Sequence, residues 1–252
     1  MKTILKNKKI MDKFDEKNLP SLSTCVLAAL ELFTDQGLPK IKIPRYKKPI
    51  IVGSGNAIAT AKLLYGNKDA IFADENNFKQ ALKRKPDGAI IFSASGEKHA
   101  SIIAKYYKDK KIKTTLVTCN PNSSAGQILG KKNVVLTKKN REPYTYNTST
   151  YLGWVFAQSR ENPLKILKFI QTKIAKKISK NIGKYSGYLL VTPENFALGN
   201  KLFETKFIEL FARRIARDIK TPEELKHAIT VIAYAKELCI QFGNASIDFP
   251  ND

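Results

Sequence analysis

Over the first 140 positions, short unbroken apolar runs alternate with stretches of helical period. Ile50-Ile51-Val52, Ala70 to Ala73, Gly88 to Phe92, Thr114 to Val117 and Asn133 to Leu136 are each bounded by Gly, Pro, Asn or charged residues and predict buried strands. Helical stretches separate them. One runs from Gly53-Ser54-Gly55-Asn56 through Tyr65, others over Asn76 to Lys83 and Lys98 to Lys108, and a short one follows Asn120-Pro121-Asn122-Ser123-Ser124. In the third, His99, Ile102, Ile103 and Tyr106 recur at helical spacing. Upstream, Ser21 to Asp35 (Leu22, Val26, Ala29, Leu30, Phe33) predicts an amphipathic helix stopped near Gly37-Leu38-Pro39. Residues 1–19 read as a short helix or a loose arm, and Lys40 to Pro49 as a basic connector. Strands alternating with helices imply an α/β fold with a parallel sheet covered on both faces. Ligands of such sheets bind at the carboxyl ends of the strands.

The pattern changes from Tyr151 onward. Pro163 to Ile182 places Leu167, Ile170, Ile174 and Ile178 on one side of a helix and lysines on the rest. That is a helix packed with a wet outer face or one lying on a membrane surface. Gly187 to Val191 predicts a strand, and Phe196 to Arg217 a long helix with Phe203, Phe207, Leu210 and Phe211 inward. Thr221-Pro222-Glu223-Glu224 is a capping box with proline at the first helical position, opening a helix to Phe242 that Gly243 stops. Residues 192–252 are too few for a second five-stranded unit.

Composition narrows the classes. The 252 residues are 43% hydrophobic and 26% charged, enough to bury a real core. No apolar run reaches the ~20 residues that span a bilayer, and the first residues lack the apolar centre of a signal peptide. Cys25, Cys119 and Cys239 are scattered, which suggests neither disulfides nor zinc, and two histidines speak against a His-based metal site. The expected place is the cytoplasm. With 44 basic against 22 acidic residues the formal charge is +22, which favours anionic partners. The lysines are spread along the chain and no RNA-binding or zinc-finger motif accompanies them, which speaks against nucleic acid. An AT-rich coding composition, heavy in Lys, Ile and Asn, would give the same surplus.

The candidate chemistry lies between the third strand and its helix. Ser93, Ser95 and Gly96 sit where a strand turns into a helix, and the hydroxyls, free first-turn amides and helix dipole there can hold an anion. Ser95 as a plain helix cap is the other reading. Gly53-Ser54-Gly55 raises a dinucleotide fingerprint, with Asp74 about twenty positions on. Ile58, however, is too bulky for the third glycine position.

Four ordered motifs over residues 50–150 together resemble the sugar isomerase (SIS) domain family. Ile51-Val52-Gly53-Ser54-Gly55 looks like its first strand and glycine turn. Phe92-Ser93-Ala94-Ser95-Gly96-Glu97 is similar to its phosphate loop. Val117-Thr118-Cys119-Asn120 with Ser123-Ser124 resembles its Thr-Asn strand end, and Glu142 ahead of Asn147-Thr148-Ser149 its E-x5-T segment. The resemblance implies a flavodoxin-like five-stranded parallel sheet and a phosphosugar site drawn from Gly53, Ser54, Gly55, Asn56, Ser93, Ala94, Ser95, Gly96, Lys98 and Glu142. The family usually has Ser at Ala57 and Thr at Lys98; a lysine there supplies a cation for the phosphate or is a solvated surface residue.

Residues 187–227 resemble the start of the second domain in tandem-SIS isomerases. Lys206 to Glu209 looks like the segment with the catalytic glutamate and Glu224 to His227 like that with the histidine; Ala228 replaces the usual glycine. Glu209 pairing with Arg213, and His227 as an ordinary helix residue, remain the alternatives. The resemblance thus implies an SIS domain with N-terminal helices over 1–160 and a shortened, mostly helical second SIS-like region over 161–252. Its function would be aldose–ketose isomerisation of a sugar phosphate by Glu209 and His227, without metal or organic cofactor, in a homodimer. The same fold as a non-catalytic sugar-phosphate or nucleotide-sugar module is the alternative.

Overall fold

The computed structural model describes residues 5–143, 145–178, 181–211, 215–228 and 236–243. The chain divides into two compact units, residues 1–175 and 176–252. The first is built on five parallel strands: β1 (Pro49–Gly53), β2 (Ile71–Ala73), β3 (Gly88–Phe92), β4 (Thr114–Thr118) and β5 (Val134–Leu136), in the order β2-β1-β3-β4-β5. The helices are α1 (Lys6–Lys13), α2 (Leu22–Gln36), α3 (Asn56–Tyr65), α4 (Phe78–Ala81), α5 (His99–Asp109), α6 (Ser124–Leu129), α7 (Thr148–Ser159) and α8 (Pro163–Phe169).

Side chains one residue apart on a strand point to opposite faces, and the two faces have different cores. Ile50, Val52, Ala89, Ile91 and Leu116 meet Phe78 of α4, Ile103 and Tyr107 of α5 and Ala125 of α6. Ile51, Ile90, Phe92 and Val117 meet Ala57, Ala61 and Leu64 of α3 and Trp154 of α7. Burial on both sides is why these strands read as unbroken apolar runs. A further layer lies outside α7. Leu30 and Phe33 of α2, Phe156 of α7 and Leu167 of α8 form a separate cluster, with the Phe33 and Phe156 rings edge-to-face at 5.6 Å. The anticipated five-stranded parallel α/β architecture is therefore observed.

Within α5 the buried stripe is Ala100, Ile103, Ala104 and Tyr107. The expected stripe of His99, Ile102, Ile103 and Tyr106 is rotated from it by about one residue: His99 is exposed and Ile102 is 59% exposed. Small alanines let the helix approach the sheet closely, which apolar bulk alone does not reveal. The helix over Pro163 to Ile182 is also shorter than expected. α8 passes into a π-turn at Ile170–Ile174 and α9 (Ala175–Lys177), with Ile174 and Ile178 exposed.

The second unit holds a three-stranded parallel sheet in the order β7-β6-β8, from β6 (Gly187–Val191), β7 (Ala216–Lys220) and β8 (Glu237–Gln241). α10 (Asn200–Phe211) and α11 (Pro222–Ala228) complete it. Two helix readings are corrected here. Ala216 to Lys220 is a strand and not the end of a helix from Phe196, whose first turn is a 3-10 segment over Glu194–Gly199. Glu237 to Gln241 is a strand and not the end of a helix from Thr221. Every residue of β6 is buried, so its backbone needs a partner on each edge, and these two segments supply them. Period-two alternation of Leu238 and Ile240 against exposed Glu237, Cys239 and Gln241 suits β8 to that place. The capping box forms as read: the Thr221 hydroxyl accepts from the Glu224 amide at 3.3 Å, and Glu224 accepts from the Thr221 amide at 2.8 Å. Of the faces expected inward on α10, Phe203, Phe207 and Leu210 are partly buried and Phe211 is 46% exposed.

Among the described residues no helix is long and apolar enough to cross a membrane, and no cluster of three or more His, Cys, Asp or Glu could hold a metal.

Candidate phosphosugar site

In a sheet of order 2-1-3-4-5 the crossovers leave in opposite directions from β1 and β3, which opens a crevice at their carboxyl ends. A cavity of about 330 Å³ lies there. Gly53 and Ser54 reach it from β1, Phe92 to Ser95 from β3, and Glu97, Lys98 and His99 from the start of α5. Lys139, Glu142, Asn147 and Tyr151 close the far side.

The 93–98 loop is tied from behind to the loop after β4. Ala94 O accepts from the Cys119 amide (3.1 Å) and the Thr118 hydroxyl (3.0 Å), Ser95 O from Asn120 Nδ2 (3.0 Å), and Gly96 O from the Ala125 amide (3.0 Å). Gly96 has φ +67°, and a β-carbon there would lie 2.5 Å from Ser123 Cβ, so only glycine allows this approach. Glu97 bonds the Ser124 hydroxyl and accepts from the Ser124 amide at 3.0 Å and Asn120 Nδ2 at 3.3 Å. The Ser124 hydroxyl and amide hold its carboxyl below the ordinary glutamate range. The glutamate of the loop thus fastens α6.

What faces the cavity is a set of donors. Ser93 Oγ accepts from the Gly96 amide (3.0 Å) and Ser95 Oγ from the Glu97 amide (3.3 Å), which leaves each hydroxyl proton to donate outward. Ser95 does not cap α5. The N-cap is Lys98, whose side chain makes no capping bond; the Ala100 and Ser101 amides already donate to the Glu97 and Lys98 carbonyls at 2.9 and 3.1 Å, so what this turn offers an anion is the helix dipole and the loop hydroxyls. α3 begins the same way, behind Gly55 at φ +53° and without a side-chain cap. Lys98 holds φ +43° and ψ −114°, a backbone region that costs a residue with a β-carbon ~1–3 kcal/mol and that collects at ligand sites.

Glu142 has a structural task as well. Its carboxylate accepts from the Thr148 amide at 2.9 Å, the Ser149 amide at 3.1 Å and the Ser149 hydroxyl at 2.6 Å, and so caps α7 from outside the helix. Burial pushes this carboxyl above the ordinary range, against the pull of the Ser149 and Thr148 donors and of Lys139.

No sequence-family model matches the chain, and no curated protein matches it in sequence. Solved structures do match in shape. The C-terminal domain of glucosamine-fructose-6-phosphate aminotransferase from Francisella tularensis superposes with a TM-score of 0.61 at 14% identity, over 90% of this chain and 77% of that one. Glucosamine-6-phosphate deaminase from Thermotoga maritima gives 0.57 at 13%, over 87% and 74%. Tagatose-6-phosphate ketose/aldose isomerase from Escherichia coli gives 0.56 at 12%, over 94% and 68%. The chain has the SIS fold. At these identities the likeness speaks for the fold alone.

Of the residues expected at an SIS phosphosugar site, Gly53, Ser54, Ser93, Ala94, Ser95, Lys98 and Glu142 line the cavity. Gly55, Asn56 and Gly96 do not line it; the two glycines hold positive φ in the turns and Asn56 opens α3. Ala57, where the SIS pattern has Ser, also lines it and offers no hydroxyl. Asp74, which the dinucleotide reading needs at the ligand, does not line the cavity; its carboxylate accepts from the Asn76 amide at 2.8 Å. His99, Lys139, Asn147 and Tyr151 were not anticipated. Lys139 could have been found from its place just past the carboxyl end of a strand. In the second unit Glu209 lies on α10 in an ion pair with Lys206 at 2.6 Å, and His227 is exposed in the last turn of α11. Arg213, the partner considered for Glu209, lies outside the described residues.

Proposed function

We propose that this chain binds a sugar phosphate, with the phosphate over residues 93–98 and the sugar in the cavity toward Glu142 and Tyr151. One observation carries this reading. Two serine hydroxyls, each held as an outward donor, stand at the uncapped N-terminus of α5 beside a lysine, at the sheet's switch point. The resemblance of the four motifs to SIS proteins and the solved neighbours named for phosphosugars support it. Isothermal titration with fructose 6-phosphate tests it: Ser95→Ala should weaken binding by ~1–2 kcal/mol, the worth of a hydrogen bond to a charged group. Unchanged affinity would place the site elsewhere.

The proposal extends to aldose–ketose isomerisation, with Glu209 carrying the proton between adjacent carbons and His227 assisting ring opening. It includes a homodimer, for which exposed Phe196, Leu198, Ile208 and Phe211 of the second unit speak, and which light scattering reads directly. It also includes the shortened second SIS-like region over 161–252, supported by the order of β6, α10 and capped α11. Two observations favour a second reading, a binding module without turnover: Ala57 removes a hydroxyl from the site, and Glu209 is engaged by Lys206.

A further inference from the structure

The cavity receives two lysines from different parts of the sheet's carboxyl edge. Lys98 stands at β3, beside Ser93 and Ser95. Lys139 follows β5 and lines the far side with Glu142, whose carboxyl it helps to pull down. β4 lies between β3 and β5, so the strand ends from which the two lysines start are ~10 Å apart. Among the described residues neither lysine is in an ion pair. The two carboxylates of the lining are turned to the protein: Glu97 to Ser124 and Asn120, Glu142 to Thr148 and Ser149. Their hydrogen bonds go to the amides that open α6 and α7, and Lys139 acts on Glu142 only through space. One phosphate at the 93–98 loop uses Lys98 and leaves Lys139 at the other end of the sugar.

We infer that the sugar phosphate taken here carries a second anionic group, a carboxylate or another phosphate, remote from the first, and that Lys139 binds it. This rests on the phosphosugar reading and narrows its substrate class. Both anions present oxygens to an ammonium group in the same way, so the probes must separate them.

The test is calorimetric titration of the full chain with fructose 6-phosphate, 6-phosphogluconate and fructose 1,6-bisphosphate, on the wild type, Lys139→Gln and Lys139→Arg. Wild type is expected to bind at least one of the two-anion probes about tenfold more tightly than fructose 6-phosphate, as for one added charge-assisted contact. Preference for 6-phosphogluconate assigns a carboxylate, and preference for the bisphosphate a phosphate. Lys139→Gln should bring the ratio of two-anion to fructose 6-phosphate affinity to about one, whatever it does to either affinity alone, and Lys139→Arg should keep the wild-type ratio. The Lys139 side chain is exposed, so the variants should fold, and matching circular dichroism checks this. A preference below about twofold, or one that survives Lys139→Gln, overturns the inference and leaves the phosphosugar reading standing. No binding of any probe overturns both.

Discussion

Trp154→Ala is expected to destabilise the protein by ~3–5 kcal/mol, the range for emptying the space of a fully buried large aromatic. Trp154 is the chain's single tryptophan, 0% exposed, between α7 and the sheet. Its ring stands edge-to-face against Phe92 at 5.2 Å and Tyr151 at 5.5 Å, and its Nε1–H donates to Thr137 Oγ1 at 3.1 Å. Truncation leaves a cavity and withdraws a buried donor from a hydroxyl that also meets the Cys119 thiol at 3.2 Å. Phe92 and Tyr151 line the ligand cavity, so sugar-phosphate affinity should fall as well. Trp154→Phe keeps most of the ring and loses the hydrogen bond, and should cost ~1–2 kcal/mol. Denaturant unfolding followed by circular dichroism measures both. A loss below ~1 kcal/mol for the alanine variant would mean that this face of the sheet is not packed as described.

In the isomerase extension, Glu209→Gln should lower turnover by ~10²–10⁴-fold with little change in substrate affinity, because the amide keeps the shape and removes the base. The motivation is the resemblance of Lys206 to Glu209 to the tandem-SIS segment, on a helix that leads from the buried strand β6. The Lys206 ammonium, 2.6 Å from the carboxylate, would help to hold it in place. Steady-state rates over a panel of hexose and pentose phosphates decide the matter. Unchanged turnover in Glu209→Gln removes this residue from the chemistry. Tight binding by a wild type that turns nothing over leaves the non-catalytic module as the function.

The first unit was legible because its three central strands, β1, β3 and β4, are buried on both faces and the turns beside them carry markers. Pro86-Asp87-Gly88 announced β3, and Ser123 caps α6 by accepting from the Gly126 amide at 3.2 Å. The second unit was less legible. Ala216-Arg217-Asp218-Ile219-Lys220 reads equally as a helix end, and only the need of β6 for a neighbour on each edge makes it a strand. The site was legible where it depends on backbone chemistry, in Ser93, Ser95, Gly96 and Lys98. The tasks of Glu97 and Glu142 were not, since each carboxylate caps a helix that follows it in the chain, and local periodicity does not show such pairings. Lys139 and Tyr151 enter the cavity from elements distant in sequence, through the closure of the sheet alone.

A crystal structure of the chain with fructose 6-phosphate tests the anion site most directly. The expected result is a phosphate whose oxygens lie ~3 Å from the Ser93 and Ser95 hydroxyls at the start of α5, with the Lys98 ammonium beside it. A phosphate bound away from residues 93–98, with these donors facing only water, would contradict it.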